Sequence, residues 1–273
     1  MGLRENNYSI AMKNKFYLGI DIGGTKIRTV FLRGLKKQKV CPYAIKLPKN
    51  KKDLFNILND LIRRAAGNKK IAGIGVGLPG ITDSRQRILI KAPNLPFLNG
   101  WEVKKFFRKF AKEVKIDNDV NCFLIAEANW GAGRGNKNLI GVARGTGIGG
   151  GIIIGGKMYG GKNNSAAEFG HIIIDKGRTL EQLAAKKAFL KFGDRSEIIG
   201  IGVANLINAF DPDKVILGGG GVVGGGIKIK TVGRVAKKYI MSPLSKKTPI
   251  VRGKLGDAAQ AIGAALLFKI KRN

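Results

Sequence analysis

The sequence predicts an α/β protein made of two related halves. Strand and helix patterns alternate along the 273 residues, which is typical of sheets covered by helices. Each half opens with two strand patterns joined by a Gly-Gly-Thr or Gly-Thr-Gly turn, at residues 23–25 and 145–147. The length suits two lobes of roughly 100–150 residues each. We therefore expect an internal duplication in outline, with ligand in a cleft between the halves.

The first half is predicted to begin with a strand over residues 18–22 and a partner strand over 27–33. A helix is expected from Asp53 to Gly67. One face of this helix is apolar and consists of Leu54, Ile57, Leu58, Leu61, Ile62 and Ala65. A further apolar strand over residues 71–80 runs into a Pro-Gly turn.

The second half repeats this pattern. Strands are predicted at residues 139–143, 149–154 and 214–217, and a helix at 198–210. The expected domains are a small α/β domain over 16–115 and a larger one over 116–273, after a disordered leader at 1–15. The last helix, at about 257–270, is expected to pack back on the first domain.

Composition excludes several classes of protein. Apolar residues make up 44% of the chain, but no run of 18 lacks a charge, so no membrane span or membrane partner is expected. The first twelve residues lack the apolar core of a signal peptide, and Met12 is an alternative start to Met1. Cys41 and Cys122 form no motif, which favours a cytoplasmic protein without disulfides or a cysteine zinc site.

The net charge is +32, from 50 Lys and Arg against 18 Asp and Glu. A chain this basic attracts polyanions such as polyphosphate or nucleic acid. The basic residues are spread in short clusters and only 7% of residues are aromatic, so no specific nucleic-acid partner is expected. A solvated lysine-rich surface and a polyanion track both remain open.

The two glycine turns are candidate phosphate sites. In the first, Asp21 precedes Gly23, Gly24, Thr25 and Lys26. Glycines let backbone amides approach an oxyanion, a threonine hydroxyl can donate to it, and a carboxylate can hold Mg²⁺. An ordinary hairpin turn accounts for the same residues. The second turn contains Thr146 and Gly147, and the pair together predicts a clamp on a phosphate chain.

Carboxylates and a single histidine complete the candidate chemistry. Asp119 lies at a predicted helix start, where it is either a structural cap or a base for an attacking hydroxyl. His171 follows Glu168 by three residues and precedes Glu181 by ten. This set fits sugar hydroxyls, which need donors and acceptors, but a structural histidine and a metal ligand are the alternatives.

Eight ordered motifs resemble those of the ROK family of bacterial sugar kinases and repressors, over about residues 16–268. They are DIGGTK at 21–26, GLPG at 77–80, PNLP at 93–96, NDVN at 118–121, GTGIGGG at 145–151, EFGH at 168–171, GGGG at 218–221 and GDAA at 256–259. The resemblance implies the actin-like ATPase (ribonuclease H-like) fold, with two α/β domains around a cleft. It also implies a homodimer or homotetramer.

The same resemblance implies residue roles. Asp119 would be the general base for the 6-hydroxyl of a hexose, with ATP as donor and Mg²⁺ held near Asp21. The sugar ligands would be Asn94, Asn118, Glu168, His171 and Glu181. The donor residues would be Asp21, Gly23, Gly24, Thr25, Lys26, Thr146, Gly147, Gly219 and Gly220.

The sequence departs from the family at two places. The loop over residues 172–180 is short and has no cysteine, so the structural zinc of most members is expected to be absent. Such loops resemble those of the family's polyphosphate glucokinases. Arg144 stands where the family usually has a small or apolar residue, and it either contacts a phosphate or faces solvent.

A glucokinase-like ATP-dependent kinase of carbohydrate metabolism is therefore the leading hypothesis. The alternatives are a polyphosphate-dependent glucokinase and a non-catalytic, sugar-responsive binding protein. Repressors of the family carry an N-terminal helix-turn-helix domain, and only about fifteen residues precede the first strand here. The kinase hypothesis is preferred for that reason.

Overall fold

A computed structural model describes residues 14–83, 85, 87–93 and 95–270. The proposed leader, apart from residues 14 and 15, lies outside the described residues, as do both candidate start methionines and Asn94. The chain forms two compact units. The first contains the described residues up to Cys122 together with Ala258–Ile270, and the second contains Phe123–Asp257. The domain limits inferred from the sequence, with a boundary at residues 115 and 116, stay a proposal.

The first unit is built on a mixed five-stranded sheet. Its strands are β1 (Phe16–Ile22), β2 (Lys26–Arg33), β3 (Tyr43–Lys46), β4 (Ile71–Leu78) and β7 (Glu113–Asn118), in the order β3-β2-β1-β4-β7. β1 pairs with β2 antiparallel and with β4 parallel, and β4 pairs with β7 parallel. A small separate hairpin joins β5 (Ile81–Thr82) and β6 (Leu89–Lys91). The parallel strands β1, β4 and β7 thus end at one edge of the sheet.

Helix α1 (Lys51–Ala66) covers this sheet with its apolar face. Its start is capped by Asn50, whose side chain accepts a hydrogen bond from the Asp53 amide, and the cap at its end is Gly67, with φ 50°. The buried positions of α1 are Leu54, Leu58, Leu61 and Ile62. These are four of the six residues that the periodicity places on one face. Short helix α2 (Val103–Phe107) adds Phe106 and Phe107 to the same core.

The first unit also contains a helix from the far end of the sequence. α9 (Ala259–Leu266) packs against β1 and β4. The approach is so close that a Cβ built on Gly75 of β4 would lie 1.8 Å from the carbonyl oxygen of Ala264. Glycine at this position is therefore required by the contact between the helix and the sheet.

The second unit repeats the sheet of the first. Its strands are β8 (Leu139–Arg144), β9 (Ile148–Ile154), β10 (Lys157–Met158), β13 (Lys214–Gly218) and β14 (Ile250–Arg252), in the order β10-β9-β8-β13-β14. β8 pairs antiparallel with β9 and parallel with β13, as β1 does with β2 and β4. The predicted duplication of strand-turn-strand pairs is confirmed.

Helices cover the second sheet. They are α4 (Leu180–Ala184), α5 (Lys186–Phe192), α6 (Ser196–Phe210), α7 (Gly220–Val223) and α8 (Ile229–Tyr239). α6 and α8 pack against each other, and the core beneath them includes Val203, Ile207 and Val232. A two-stranded ribbon, β11 (Ile173–Asp175) and β12 (Arg178–Thr179), leads into α4.

Helix α3 (Asp119–Trp130) follows β7, and the division between the two units falls within it. Its sequence is apolar on nearly every side, and most of its residues are buried. No helix in the described part of the chain is long and apolar enough to span a membrane.

Candidate active site

The β1–β2 turn is a tight hairpin that ends a buried strand. The Gly23 amide donates to the Lys26 carbonyl at 3.0 Å, which closes the turn, while Gly24, Thr25 and Lys26 are exposed. The turn is thus a hairpin, which is what the second interpretation of the sequence, an ordinary hairpin turn, predicted. Because its middle residues face outward from the strand end, the geometry is also compatible with phosphate binding.

Asp21 lies one residue before the end of β1, with a side chain only 3% exposed. The Arg28 side chain, which is opposite Asp21 in the strand register, approaches it with Nη1 at 3.4 Å from Oδ2. Burial of a carboxylate is costly unless a cation or hydrogen bonds compensate it. Arg28 therefore supplies an opposite charge to the buried Asp21 at the edge of the sheet.

A second group of polar residues lies where β7 passes into α3. Asp117 is fully buried, and its Oδ1 accepts from the Asn118 amide at 2.7 Å and from the Asn121 side chain at 2.8 Å. Asn118 in turn accepts from the Val120 amide at 2.8 Å and lies with Nδ2 3.4 Å from the Gly80 carbonyl. Asn118 is therefore the cap of α3.

Asp119 is half-buried at the first position of α3. Its Oδ1 accepts from the Val120 amide at 3.0 Å. A negative charge is favoured in the first turn of a helix. Its position therefore fits both roles considered from the sequence, because a carboxylate at a strand end can be a structural acceptor and a base.

The strand register relates these two groups. Asp21 is paired with Gly77 of β4, and Gly77 is paired with Asp117 of β7. Since neighbouring strands are about 4.8 Å apart, the two aspartates are separated by about 10 Å along the sheet edge. Asp21, the Gly80 turn and the Asn118–Asp119 pair thus lie along one edge of the first unit.

In the second unit, the β8–β9 turn is held against a carboxylate. The Gly145 amide donates to the Gly147 carbonyl at 2.8 Å, and Thr146 is exposed. The Ile148 amide donates to Glu181 Oε2 at 2.7 Å. A Cβ on Gly147 would lie 2.2 Å from the same oxygen, so glycine makes room for Glu181 there.

Glu181 is on α4, whose start is fixed by a capping box between Thr179 and Gln182. The segment containing Glu168 and His171 lies close by. A Cβ on Gly170 would be 2.2 Å from the Ile148 carbonyl and 3.4 Å from the Glu181 Cβ. Glu168 and His171 themselves are exposed on a short 3₁₀ turn. The structure thus places three predicted sugar ligands and the second predicted phosphate turn in one part of this unit.

Gly219 and Gly220 follow β13, beside the β8–β9 turn. Gly218 is paired with Ala143 of β8. Gly219 has φ 81°, and a Cβ there would lie 2.6 Å from the Arg144 carbonyl oxygen. The two predicted donor segments of the second unit, 145–147 and 219–220, are therefore adjacent at the carboxyl ends of neighbouring parallel strands.

Arg144 does not face solvent, so that alternative is wrong. It is 4% exposed, and burial lowers the pKa of its guanidinium below the usual value. A basic residue before a glycine turn gives no sequence signal for burial, because the residues that cover Arg144 come from much later segments, beginning 40 positions on at Ala184. A helix cap is the role that the sequence favours for Asp117, but the structure buries it at the end of β7, where it accepts hydrogen bonds from the Asn118 amide and the Asn121 side chain.

Among the described residues, no group of three or more His, Cys, Asp or Glu is placed to hold a metal ion. Magnesium in phosphate sites is commonly bound through one or two carboxylates together with substrate phosphates. Asp21 offers one such carboxylate at the end of β1. The single carboxylate of Asp21 is thus compatible with a magnesium ion that arrives already bound to phosphate.

The duplicated sheet, with a glycine turn between the first two strands of each copy, agrees with the actin-like ATPase fold of two α/β domains. The model of the ROK family matches residues 17–191 and 178–271. The chain therefore belongs to the ROK family, and the resemblance and the predicted fold are confirmed.

Two curated relatives cover nearly the whole chain. The glucokinase of Halalkalibacterium halodurans is 27% identical over an alignment of 328 positions, which covers 96% of this chain and 97% of the relative. The N-acetyl-D-glucosamine kinase of Pectobacterium atrosepticum is 30% identical over 304 residues, which cover 92% and 98%.

Two solved structures extend the comparison. A ROK family glucokinase from Streptomyces griseus, in complex with glucose and AMPPNP, has a TM-score of 0.80 at 23% identity, over 92% of this chain and 98% of that one. At that identity the similarity supports the fold alone. An inorganic polyphosphate/ATP-glucomannokinase from an Arthrobacter strain has a TM-score of 0.71 at 26% identity, over 93% and 98%.

Proposed function

We propose that this protein is a sugar kinase that transfers the terminal phosphoryl group of ATP to the 6-hydroxyl of a hexose. The observation that carries the proposal is the Asn118–Asp119 pair, fixed at the end of β7 by the buried Asp117. Sugar kinases among the relatives support the substrate class. A negative charge in the first turn of a helix is favourable in itself, so the position of Asp119 suits both a structural residue and a base.

In this proposal Asp119 is the catalytic base. Its carboxylate takes the proton of the 6-hydroxyl, whose oxygen then forms a bond to the terminal phosphorus. The bond between that phosphorus and the bridging oxygen breaks, and ADP leaves with the electron pair. Asn118 and Asp117 act earlier, because they fix the direction of the Asp119 backbone before the sugar binds.

The remaining residues bind and orient the substrates. Asn118, Glu168, His171 and Glu181, with Asn94 outside the described residues, are proposed to bind the sugar hydroxyls. Gly23, Gly24, Thr25 and Lys26 in one unit, and Thr146, Gly147, Gly219 and Gly220 in the other, are proposed to bind the donor. Magnesium near Asp21 would neutralise developing charge on the donor phosphates.

A second candidate function changes only the donor, to inorganic polyphosphate. Two observations favour it: the net charge of +32 and the similarity to a kinase that uses both polyphosphate and ATP.

A cytoplasmic homodimer or homotetramer is also proposed. Light scattering on the purified protein gives the mass in solution.

The decisive experiment is a matrix of donors against sugars with purified protein. ATP and polyphosphate are each tested with glucose, mannose, fructose, N-acetylglucosamine and N-acetylmannosamine. The proposal expects phosphorylation of at least one sugar by ATP. Sugar binding without transfer from either donor would contradict it and favour the non-catalytic, sugar-responsive protein.

A further inference from the structure

Arg144 is the last residue of β8 and immediately precedes the glycine turn at 145–147. Its side chain is enclosed within the second unit, with 4% of the residue exposed. A buried cation is destabilising unless an anion or a full set of hydrogen bonds compensates it. The surroundings of Arg144 therefore decide whether it is only a packing residue.

Its partners in the described structure are few. Nε donates to the Ala184 carbonyl at 3.3 Å, and the guanidinium lies 4.6 Å from the centre of the Phe189 ring. Nη2 is buried without a hydrogen-bond acceptor among the described residues. Burial alone lowers the pKa of Arg144, and no carboxylate in the described part of the chain opposes that effect as a counterion. A cation–π contact offsets part of the desolvation, but it supplies no countercharge.

The glycine segment after β13 is shaped around this side chain. A Cβ on Gly221 would lie 2.2 Å from both Cδ and Nη1 of Arg144. Gly226 is the next neighbour, with a Cβ position 3.4 Å from Nη1. Gly219 lies against the Arg144 backbone, where its Cβ would be 2.6 Å from the carbonyl oxygen. Gly221 thus leaves space for the arginine side chain, and Gly219 leaves space for its main chain.

The two segments that touch or adjoin Arg144 are those proposed to bind the phosphoryl donor. The turn at 145–147 follows it directly, and Gly219 packs on its main chain. An anion bound there would lie beside the main chain of Arg144, whose buried cation has no counterion among the described residues. A buried charge is screened less by solvent than an exposed one. Arginine is also the cation best retained on burial, because its charge is delocalised and its pKa is high.

We propose that Arg144 is a built-in countercharge for the phosphate chain of the donor. This inference rests on the proposed function, since it assumes that the donor occupies the 145–147 and 219–220 segments. The recognised chemistry is an oligophosphate, either as part of a nucleotide or as an inorganic chain. Arg144 acts through its fixed charge, and it is a positioning residue rather than a catalytic one.

Binding measurements separate charge from packing. Calorimetry on wild type and Arg144→Met uses ADP, tripolyphosphate and adenosine as probes, each with magnesium and without sugar. We expect the affinities for ADP and tripolyphosphate to fall at least fivefold and that for adenosine to change less than twofold. Arg144→Lys keeps the charge, so its affinities for both phosphates should remain within about threefold of wild type.

A matched control is available in the same unit. Arg195 also lies over a phenylalanine ring, Phe192, and its Nε donates to the Leu183 carbonyl at 3.1 Å. Arg195→Met removes a comparable side chain from a position outside the donor segments. It should leave binding of all three probes unchanged. Thermal unfolding checks that each variant is folded, and Arg144→Gln replaces Arg144→Met if the latter is not.

Three outcomes would overturn the inference. They are an unchanged affinity for both phosphates in Arg144→Met, an equal loss for adenosine and ADP, or no binding of any phosphate probe by wild type. The second would mean that Arg144 only supports the shape of the glycine segment. Suppose instead that phosphate binding depends on Arg144 but the wild-type protein phosphorylates no sugar. That result would support Arg144 as a countercharge and would contradict only the proposed kinase function.

Discussion

Asp119 is the residue on which the proposed chemistry depends. Asp119→Asn keeps an oxygen for the Val120 amide, so the start of α3 should be preserved. The amide cannot accept the hydroxyl proton, and kcat should fall about 10²–10⁴-fold. Sugar affinity, measured by calorimetry without donor, should stay within about threefold.

The control for this variant is Glu102→Gln, which changes an exposed carboxylate that pairs with Lys105 on the surface. Its kcat should equal that of wild type. Full activity of Asp119→Asn would remove Asp119 from the mechanism, and a parallel loss of sugar binding would make it a structural or sugar-binding residue instead.

Glu181 is open to two roles, because its carboxylate accepts from the Ile148 amide beside the 145–147 turn, which is proposed to bind the donor, while the resemblance assigns it to the sugar. Glu181→Ala removes the carboxylate that accepts a hydrogen bond from the Ile148 amide. It also removes a charged group proposed to bind the sugar. If Glu181 binds the sugar, KM for the sugar should rise about 10- to 100-fold, as expected for a lost hydrogen bond to a charged group. KM for the donor should rise less, because the Ile148 amide beside the 145–147 turn loses its acceptor.

Glu181→Gln refines this test, since the amide oxygen still accepts from Ile148 while the charge is gone. We expect a smaller rise in KM for the sugar than in Glu181→Ala. A rise confined to KM for the donor would instead show that Glu181 supports the 145–147 turn. Initial-rate kinetics with each substrate varied in turn distinguish the two results.

Single residues also show what sequence could and could not supply. The turns at 23–25 and 145–147 were predictable, because glycine and threonine directly after an apolar run are typical of a turn that ends a strand. The Asn118 cap follows from its place before an apolar helix. The burial of Arg144 was not predictable, because it depends on Ala184, Phe189 and Gly221 from three later segments.

Elements of secondary structure were predictable where periodicity is local. The strands that flank each turn, and the helices predicted over 53–67 and 198–210, lie close to their predicted positions. The pairing of β1 with β4, and of β8 with β13, needs contacts over long sequence separations. No local pattern specifies those registers, and the short helices α4, α5 and α7 carry too few residues to show a period.

The packing of α9 on β4 gives a prediction about stability. Gly75→Ala places a methyl group into the backbone of α9, so the helix must move. We expect a loss of about 1–3 kcal/mol in the free energy of unfolding, measured by chemical denaturation. An unchanged stability would mean that this contact is absent in solution.

Gly233→Ala is the matched control, because Gly233 is inside α8 and a Cβ there meets no atom within 4 Å. Alanine has the higher helix propensity, so this variant should gain about 0.5–1 kcal/mol. The opposite signs of the two glycine substitutions separate steric conflict from backbone entropy.

For the whole molecule, the charge of +32 bears on the choice of donor. If a lysine-rich surface guides polyphosphate, KM for polyphosphate should rise at least tenfold between about 50 and 300 mM salt, because salt screens exposed charges. KM for ATP should change less than threefold, since a short donor contacts fewer surface cations. Parallel salt dependence for both donors would argue against a polyphosphate track.

The return of α9 to the first unit has a consequence for synthesis. The sheet face formed by β1 and β4 is covered by a helix that leaves the ribosome about 180 residues after Leu78. The first unit therefore cannot complete its core while the second is still being made. The second unit is continuous from Phe123 to Asp257, and it can finish folding before the unit that precedes it in the sequence.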